Sequence, residues 1–550
     1  MSLDPNLITG RLNVNDFLEA RQSDIQKLEN LLHNSGTNSK QRAFQSLPRT
    51  ERRRAASHDP KRVPRKKGLR KRAEFESLKD NSKKPHVRKR ELPKLPAHTH
   101  VDISTIGQKA DPPKCDTPGL RYGHRQRDKI WLPTHIWHKK RAHMINMAGI
   151  VIPQSASQKQ FRRSYRLTHH IDERGAMAWD SSYYSTFLVR LNDSSVVEKV
   201  FPGCNSRLYR SGKKLWQGVT SLGGPASVYW YEESSISIQC NPLLFDELWD
   251  TLATLPDLEL EDCRYAIGNI DIIGPQKFQI VQNVLNLKQS NAKFASVWRE
   301  IIANGIAPSS FIAECLVGDP RLDQDATDCH GNLYIKNCRQ KSLDRQMPQS
   351  TVDTTKDKQI LNNPEIPVTI MLLQDGRIRL SLPKSWVLVF WLNIFRKKNV
   401  LLGGQLELNQ LAFEFGLPCF PYDFPHIHAG HEYLNCNDGS LIGPKRARAS
   451  KAKVETTLTK SSDLCHVLVD SQNRGVPKTG DLLNLFPGQK DGIVTSGNFG
   501  YSKAKGTGIG LFQKNALVDA QRIRGHNIDP VTGSSFEVTI HVVEDEISVL

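Results

Sequence analysis

The chain has 550 residues, with 76 Lys or Arg against 57 Asp or Glu and a formal net charge of +19. That length allows two or three domains with ample core, and 38% hydrophobic content implies folded parts diluted by polar segments. A pI near 9.4 asks for an anionic partner, nucleic acid or an acidic membrane surface. The strongest apolar run, Trp386 to Phe395, has ten residues where a spanning helix needs about 20, so no spanning segment is expected, and the partners expected below include no membrane.

The opening MSLDPNLITG lacks the charged-then-apolar layout of a secretory signal. Ten cysteines are scattered with no C-x-x-C, and they read as reduced thiols of an intracellular protein rather than a disulfide framework or a zinc site.

In chain order, residues 1–36 hold an amphipathic helix over 13–35, with Phe17, Ala20 or Arg21, Ile25, Leu28 and Leu32 at helical spacing and Gly36 just beyond. A lone helix cannot bury such a stripe by itself, so it is expected to dock on the body or on a partner protein. Residues 37–103 form an extended, disordered basic arm. Within it, Glu51 to Arg90 carry 17 Lys or Arg against 5 Asp or Glu, a surplus of 12. Like charges at that density repel one another unless a polyanion neutralises them, and six prolines from Pro48 to Pro96 break any long helix. Arg52, Arg53, Arg54, Arg62, Arg65, Arg70 and Arg72 offer forks for phosphate, and Lys61, Lys66, Lys67 and Lys71 offer point charges. Ser57 and His58 supply further donors to phosphate or ribose. A nuclear import signal is the plainer reading of an anonymous basic run, but this one is too long and too varied for a simple import signal.

Residues 104–334 open on a second RNA-like stretch, Arg121 to His143, in which Tyr122, Trp131 and Trp137 alternate with Arg, Lys and His. Bases stack on aromatic faces at roughly 1–3 kcal/mol each while cations hold phosphates. The candidate RNA contacts here are Arg121, Tyr122, Arg125, His135, Trp137, His138, Lys139, Lys140, Arg141 and His143. The competing reading makes Trp131 and Trp137 core, with only Lys139, Lys140 and Arg141 at the surface. The histidine spacing suits no common metal site, and none is expected.

Beyond it the pattern is globular. Ser182 to Asn192 and Ala226 to Gln239 read as strands, Phe245 to Leu255 and Phe278 to Leu287 as helices, and the stretch from Arg264 as strand, Gly-Pro turn and helix. Residues 335–365, polar and poor in aliphatics, read as a linker. A C-terminal β-rich module follows over 366–550: two strands (IPVTIMLLQ and RIRLSLPKSW), a buried segment VLVFWLNIF, a polar insertion at 437–482 with a basic patch (Lys445, Arg446, Arg448, Lys451 and Lys453), and a final strand from Phe536 to Val543 that completes a barrel-like module. The run Gly506 to Gly510 lacks the lysine-serine ending of a phosphate loop, so its glycines read as strand bends. His426, His428 and His431 have no acid at a metal-site spacing, and Asp423-Phe424-Pro425 reads as a structural turn. No catalytic constellation stands out.

Several of these stretches carry a family resemblance. DFLEARQSDIQKLE, the run RRRAASHDPKRVPR, LPTHIWHKKRAHM, the GDPR turn at Gly318 to Arg321, the order LPKSW, FW, GG, DFP, and GIVTSGNFGYSKAKGTGIG together resemble the largest protein subunit of eukaryotic nuclear ribonuclease P and ribonuclease MRP. That resemblance implies a non-catalytic RNA-binding scaffold. Its partners would be the ribonuclease P and MRP RNAs, precursor tRNA and the other protein subunits. The RNA would carry the Mg²⁺ and the hydrolysis that removes tRNA 5′ leaders, together with pre-rRNA processing, and the protein would bind no cofactor. It would reside in the nucleus and nucleolus. The fold class it implies is α+β, a mixed body similar to the aminomethyltransferase (glycine-cleavage T-protein) fold plus the C-terminal module. Two rivals stand beside it: a folate-dependent aminomethyltransferase-like enzyme, and a general basic ribosome-biogenesis protein.

Overall fold

The computed structural model describes residues 14–37, 102–113, 129–156, 175–211, 214–285, 298–301, 311–322, 332–347, 352, 364–396, 400–436, 464–485, 491–516, 522–530 and 532–543. It divides into two units, Met1–His98 and Thr99–Leu550. The whole basic ribbon, with Arg121, Tyr122 and Arg125, lies outside the described residues, as does the basic patch from Lys445 to Lys453.

In the first unit, helix α1 runs Val14–Thr37, as its periodicity requires. Asp24 pairs with Arg21 at 3.7 Å and Lys27 at 3.6 Å along its surface. Ile25 is half-buried, while Val14, Leu18 and Leu28 are exposed.

The second unit is built on two six-stranded sheets. The first has the order β1 (Thr105–Ile106), β10 (Leu258–Asp262), β6 (Ser185–Leu191), β9 (Ser235–Cys240), β8 (Pro225–Glu232) and β7 (Trp216–Val219), all antiparallel. The second runs β12 (Ile312–Val317), β13 (Ile366–Leu372), β14 (Ile378–Pro383), β11 (Ile267–Ile273), β5 (Ala176–Asp180) and β15 (Val400–Leu402), with only β15 parallel to its neighbour. The stretch over 226–239, read as strand, is a hairpin of β8 and β9 that turns at Glu233-Ser234.

Period-two alternation sends successive side chains to opposite faces, and each sheet uses both. Phe187, Val189 and Leu191 of β6 pack under helices α3 (Ser195–Val200) and α5 (Phe245–Ala253), with Trp249 and Leu252. Leu188 turns the other way and meets Tyr229, Ile267 and Met371 between the two sheets. The outer face of the second sheet is covered by α6 (Lys277–Leu285) and α8 (Val387–Ile394), where Val284, Trp386, Phe390 and Trp391 lie against Ile270, Ile272 and Leu380. The layers are therefore helix, sheet, sheet, helix. Between the sheets Asp271, fully buried, accepts from Arg379 at 2.8 Å twice and from Arg377 at 3.1 Å, and Arg379 also donates to Gln239 of β9 at 2.9 Å.

The remaining strands are a three-stranded sheet, β2 (Ile130–Trp131), β4 (Ile150–Ala156) and β3 (Ala142–Met147), and a closed six-stranded barrel. The barrel order is β16 (Leu464–Ser471), β19 (Lys505–Gln513), β18 (Gly492–Gly500), β17 (Leu482–Asn484), β20 (Arg522–Ile528) and β21 (Ser535–Val542). Gly506, Gly508 and Gly510 sit inside β19. A Cβ at Gly508 would come within 2.5 Å of the Ser496 carbonyl, so close strand packing explains that run, as expected. Helices α9 (Gln405–Phe415) and α10 (His428–Cys436) precede the barrel.

Three segment boundaries differ from the sequence reading. Residues 335–365 contain helix α7 (Lys336–Asp344). Its Arg339 is fully buried, bonding Asp102 at 2.5 Å and Glu261 at 3.1 Å; an ion pair, not an aliphatic face, docks it. The insertion expected at 437–482 contains β16, which pairs with both β19 and β21. Nor does a module begin at 366, since β13 and β14 sit in the middle of the body sheet.

Candidate nucleic-acid interface

Pro133 and Thr134 turn the chain out of β2 into α2 (His135–Lys139), a single helical turn. The turn is tied down from below. Thr134 donates its hydroxyl to the buried carboxylate of Asp180 on β5, which also accepts from the Ser182 amide at 3.0 Å. Trp137 packs edge-on to Trp391 at 5.5 Å and against Phe395 at 4.6 Å, both on or beside α8. Arg141 covers the ring, its guanidinium carbon 4.2 Å from the centroid, and donates to the Trp137 carbonyl at 3.0 Å.

The expected RNA contacts in this stretch separate by burial. His138 is fully buried: Nδ1 donates to the Thr134 carbonyl at 3.0 Å, and the ring lies 4.9 Å from Trp391. Burial holds its pKa below the usual histidine value, the nearby Asp180 charge only partly opposing this. His135 is 6% exposed and stacks on Trp131 at 4.1 Å. Burial first, then Lys139 and His138, push it down to about 4. Both rings are therefore neutral near pH 7, and neither reaches the surface. The reading of His135 and His138 as RNA contacts is corrected by that burial, and Trp137 serves the core rather than an open stacking face.

What faces solvent is Lys139, Lys140, Arg141 and His143, with Lys129 ahead of β2. A register shift between His143 and Met144 bends β3 where the cluster ends. The arrangement is a cationic knuckle on a rigid apolar footing. It can hold phosphate through the point charges of Lys139 and Lys140 and the fork of Arg141. The competing sequence reading, with Trp137 as core and Lys139, Lys140 and Arg141 at the surface, matches this split. The burial of His135 and His138 is named in neither reading, because cations and apolar rings alternate within one turn and only the packing on α8 shows which way it faces.

The other histidine group is structural. Asp423, fully buried, accepts from the Thr495 hydroxyl at 2.6 Å, the Ser496 hydroxyl at 2.6 Å and the Cys419 amide at 2.7 Å. His466 of β16 bonds the Asp423 carbonyl at 2.9 Å, and burial pushes His426 beside it down to about 4. The DFP turn thus fastens the barrel to the residues before it. Glu414 of α9 does the same, accepting from the amides of Tyr501 at 3.2 Å and Ser502 at 3.1 Å. Among the described residues no group of three His, Cys, Asp or Glu is placed to hold a metal.

The family model for the N-terminal part of the ribonucleases P/MRP protein subunit POP1 matches residues 17–105 and 97–192, which include both the ribbon and the knuckle. The POPLD (NUC188) domain model matches residues 377–453, from β14 through α10. The chain resembles the POP1 subunits of ribonucleases P/MRP. It is 27% identical over 511 residues to the Schizosaccharomyces pombe subunit, covering 78% of this chain and 71% of that one. It is 24% identical over 556 residues to the Saccharomyces cerevisiae subunit, covering 76% and 63%. The human subunit is 29% identical over 195 residues, 35% of this chain and 17% of that one. Among solved structures, the glycine cleavage system aminomethyltransferase T from Bartonella henselae aligns with a TM-score of 0.46 at 13% identity, over 76% of this chain and 99% of that one. A backbone likeness at that level assigns no chemistry.

Proposed function

We propose that this chain is an RNA-binding protein subunit of a ribonuclease P/MRP ribonucleoprotein. In this reading it holds the catalytic RNA in its working shape. The carrying observation is similarity to the two yeast POP1 subunits over 76% and 78% of the chain, with the ribbon and the knuckle inside the matched N-terminal part. Packed RNA helices repel one another, and a cationic chain between them relieves that charge. The ribbon residues from Arg52 to Arg72 and the exposed Lys139, Lys140, Arg141 and His143 are the proposed phosphate contacts, with Arg121, Tyr122 and Arg125 beside them in sequence. The RNA carries the hydrolysis of precursor tRNA and its Mg²⁺, the protein needs no cofactor of its own, and the particle works in the nucleus and nucleolus.

Sequencing the RNA that co-purifies with the tagged protein tests this reading. A ribonuclease P or MRP RNA is expected, and a broad ribosomal population without either overturns it. RNA-free protein given precursor tRNA and Mg²⁺ should leave the substrate whole; specific 5′ cleavage there would remove the scaffold role.

A further inference from the structure

Between Glu198 and Glu232 the chain has no acidic residue, yet it carries Lys199, Arg207, Arg210, Lys213 and Lys214. Helix α4 (Arg207–Arg210) lies in this stretch. The loop leading into it is held from below by two indoles: Trp216 Nε1 donates to the Pro202 carbonyl at 3.2 Å, and Trp230 Nε1 to the Cys204 carbonyl at 3.2 Å. Phe201 and Cys204 are fully buried in the same cluster, and Tyr209 packs against it. Above this floor Arg207 and Arg210 are exposed, with the Arg210 guanidinium 5.6 Å from the Trp230 ring. Three residues apart, they lie on one side of the turn.

Surface cations ordinarily alternate with acids that neutralise them. Here, among the described residues, neither arginine is in an ion pair, and the nearest acids in sequence lie outside the stretch. Like charges held together on a fixed floor repel, and that repulsion disappears when a polyanion binds. A floor fixed in advance also lowers the ordering cost of binding. The geometry points to the α4 turn as a second RNA contact on the folded body, where Arg207 and Arg210, followed by Lys214, hold backbone phosphates of the particle's RNA. This rests on the proposed RNA-binding role. It adds a sequence-independent contact roughly 120 to 150 residues beyond the ribbon.

The test uses the full chain and the RNA that co-purifies with it, over a salt series. Each phosphate contact adds about 0.7 to 0.9 to the slope of log K against log salt, so R207A/R210A should flatten it by about 1.5 units and weaken binding about tenfold. R207A alone, which leaves the Arg210–Trp230 contact in place, should flatten it by about 0.8. Both variants should melt as the parent does. If the double variant melts early, the single variant decides. An unchanged slope and affinity in folded variants overturns the inference. So does unchanged RNA affinity accompanied by loss of a protein subunit from the purified particle, which would mark an acidic protein surface as the partner. Failure of the parent to bring down ribonuclease P or MRP RNA would sink the proposed function instead. The slope difference on whatever RNA it binds still decides the α4 contact.

Discussion

At the scale of single residues, charge and burial have been sorted within one helical turn. Trp137 has its ring against Trp391 and Phe395 and its other surface under Arg141. Trp137→Ala removes that packing. Full burial would cost about 3–5 kcal/mol, so a half-buried ring should cost roughly 2–3, read as an earlier urea midpoint. Normal unfolding with collapsed RNA affinity would instead make the ring a base-stacking face. The neighbouring histidines give a pH signature. In the unfolded chain His135 takes its proton near pH 6.5, whereas in the fold burial delays it to about 4. Protons thus favour the unfolded state between those values, and His135 contributes stability that is full above 6.5 and lost as pH falls toward 4. The urea midpoint should drop through that window, and His135→Gln should make the drop shallower. A midpoint flat from pH 7 to about 4 would place the ring in solvent.

At the scale of elements, the docking of α7 is the most exposed to a single change. Arg339 satisfies Asp102, Glu261 and the carbonyls of Leu333 and Tyr334, the last two at 3.0 Å each. Arg339→Ala leaves the Asp102 carboxylate buried without its partner, which costs about 3–5 kcal/mol. Replacing both partners with apolar residues should recover much of that, and equal losses in the single and double variants would argue against the pair. The same element shows what sequence reading could and could not find. Helices with an aliphatic stripe, such as α5 with Phe245, Leu248, Trp249 and Leu252, were legible, and so were the strands β13 and β14 and the final strand β21. Helix α7 was not, because KNCRQKSLD hides its buried contact in an arginine. Strand β16 alternates Cys465, Val467 and Val469 inward, a clear period of two, but it follows directly on a polar Lys/Ser-rich stretch and was absorbed into it. The membership of β13 and β14 in the body sheet depends on pairing with β11 and β12, across gaps that no local pattern records. The site divided in the same way: the cations of the knuckle were visible as cations, but the inward turn of His135 and His138 required the packing on β5 and α8.

For the whole molecule, two kinds of cationic surface follow from the chain. One is the ribbon, with its surplus of 12 charges between Glu51 and Arg90. The other consists of fixed clusters on the body, the α2 knuckle and the α4 turn, mounted on tryptophans. A purely phosphate-binding ribbon carries affinity without choosing a sequence, whereas clusters at fixed positions match only an RNA whose backbone passes both. Changing Arg52, Arg53 and Arg54 together to Ala should flatten the salt slope by roughly two to three units if all three reach phosphate. Affinity should then fall for every RNA at low salt, while preference for the cognate RNA persists in part through the fixed clusters. The ribbon and the α4 turn are far apart in sequence, so where each neutralises its own phosphates their effects should add. Combining the triple change with R207A/R210A should flatten the slope by about the sum of the two. A combined slope no flatter than that of the triple variant alone would mean that the ribbon provides all the ion release. An intact slope with lost cognate preference would mean that Arg52, Arg53 and Arg54 read bases or shape rather than charge.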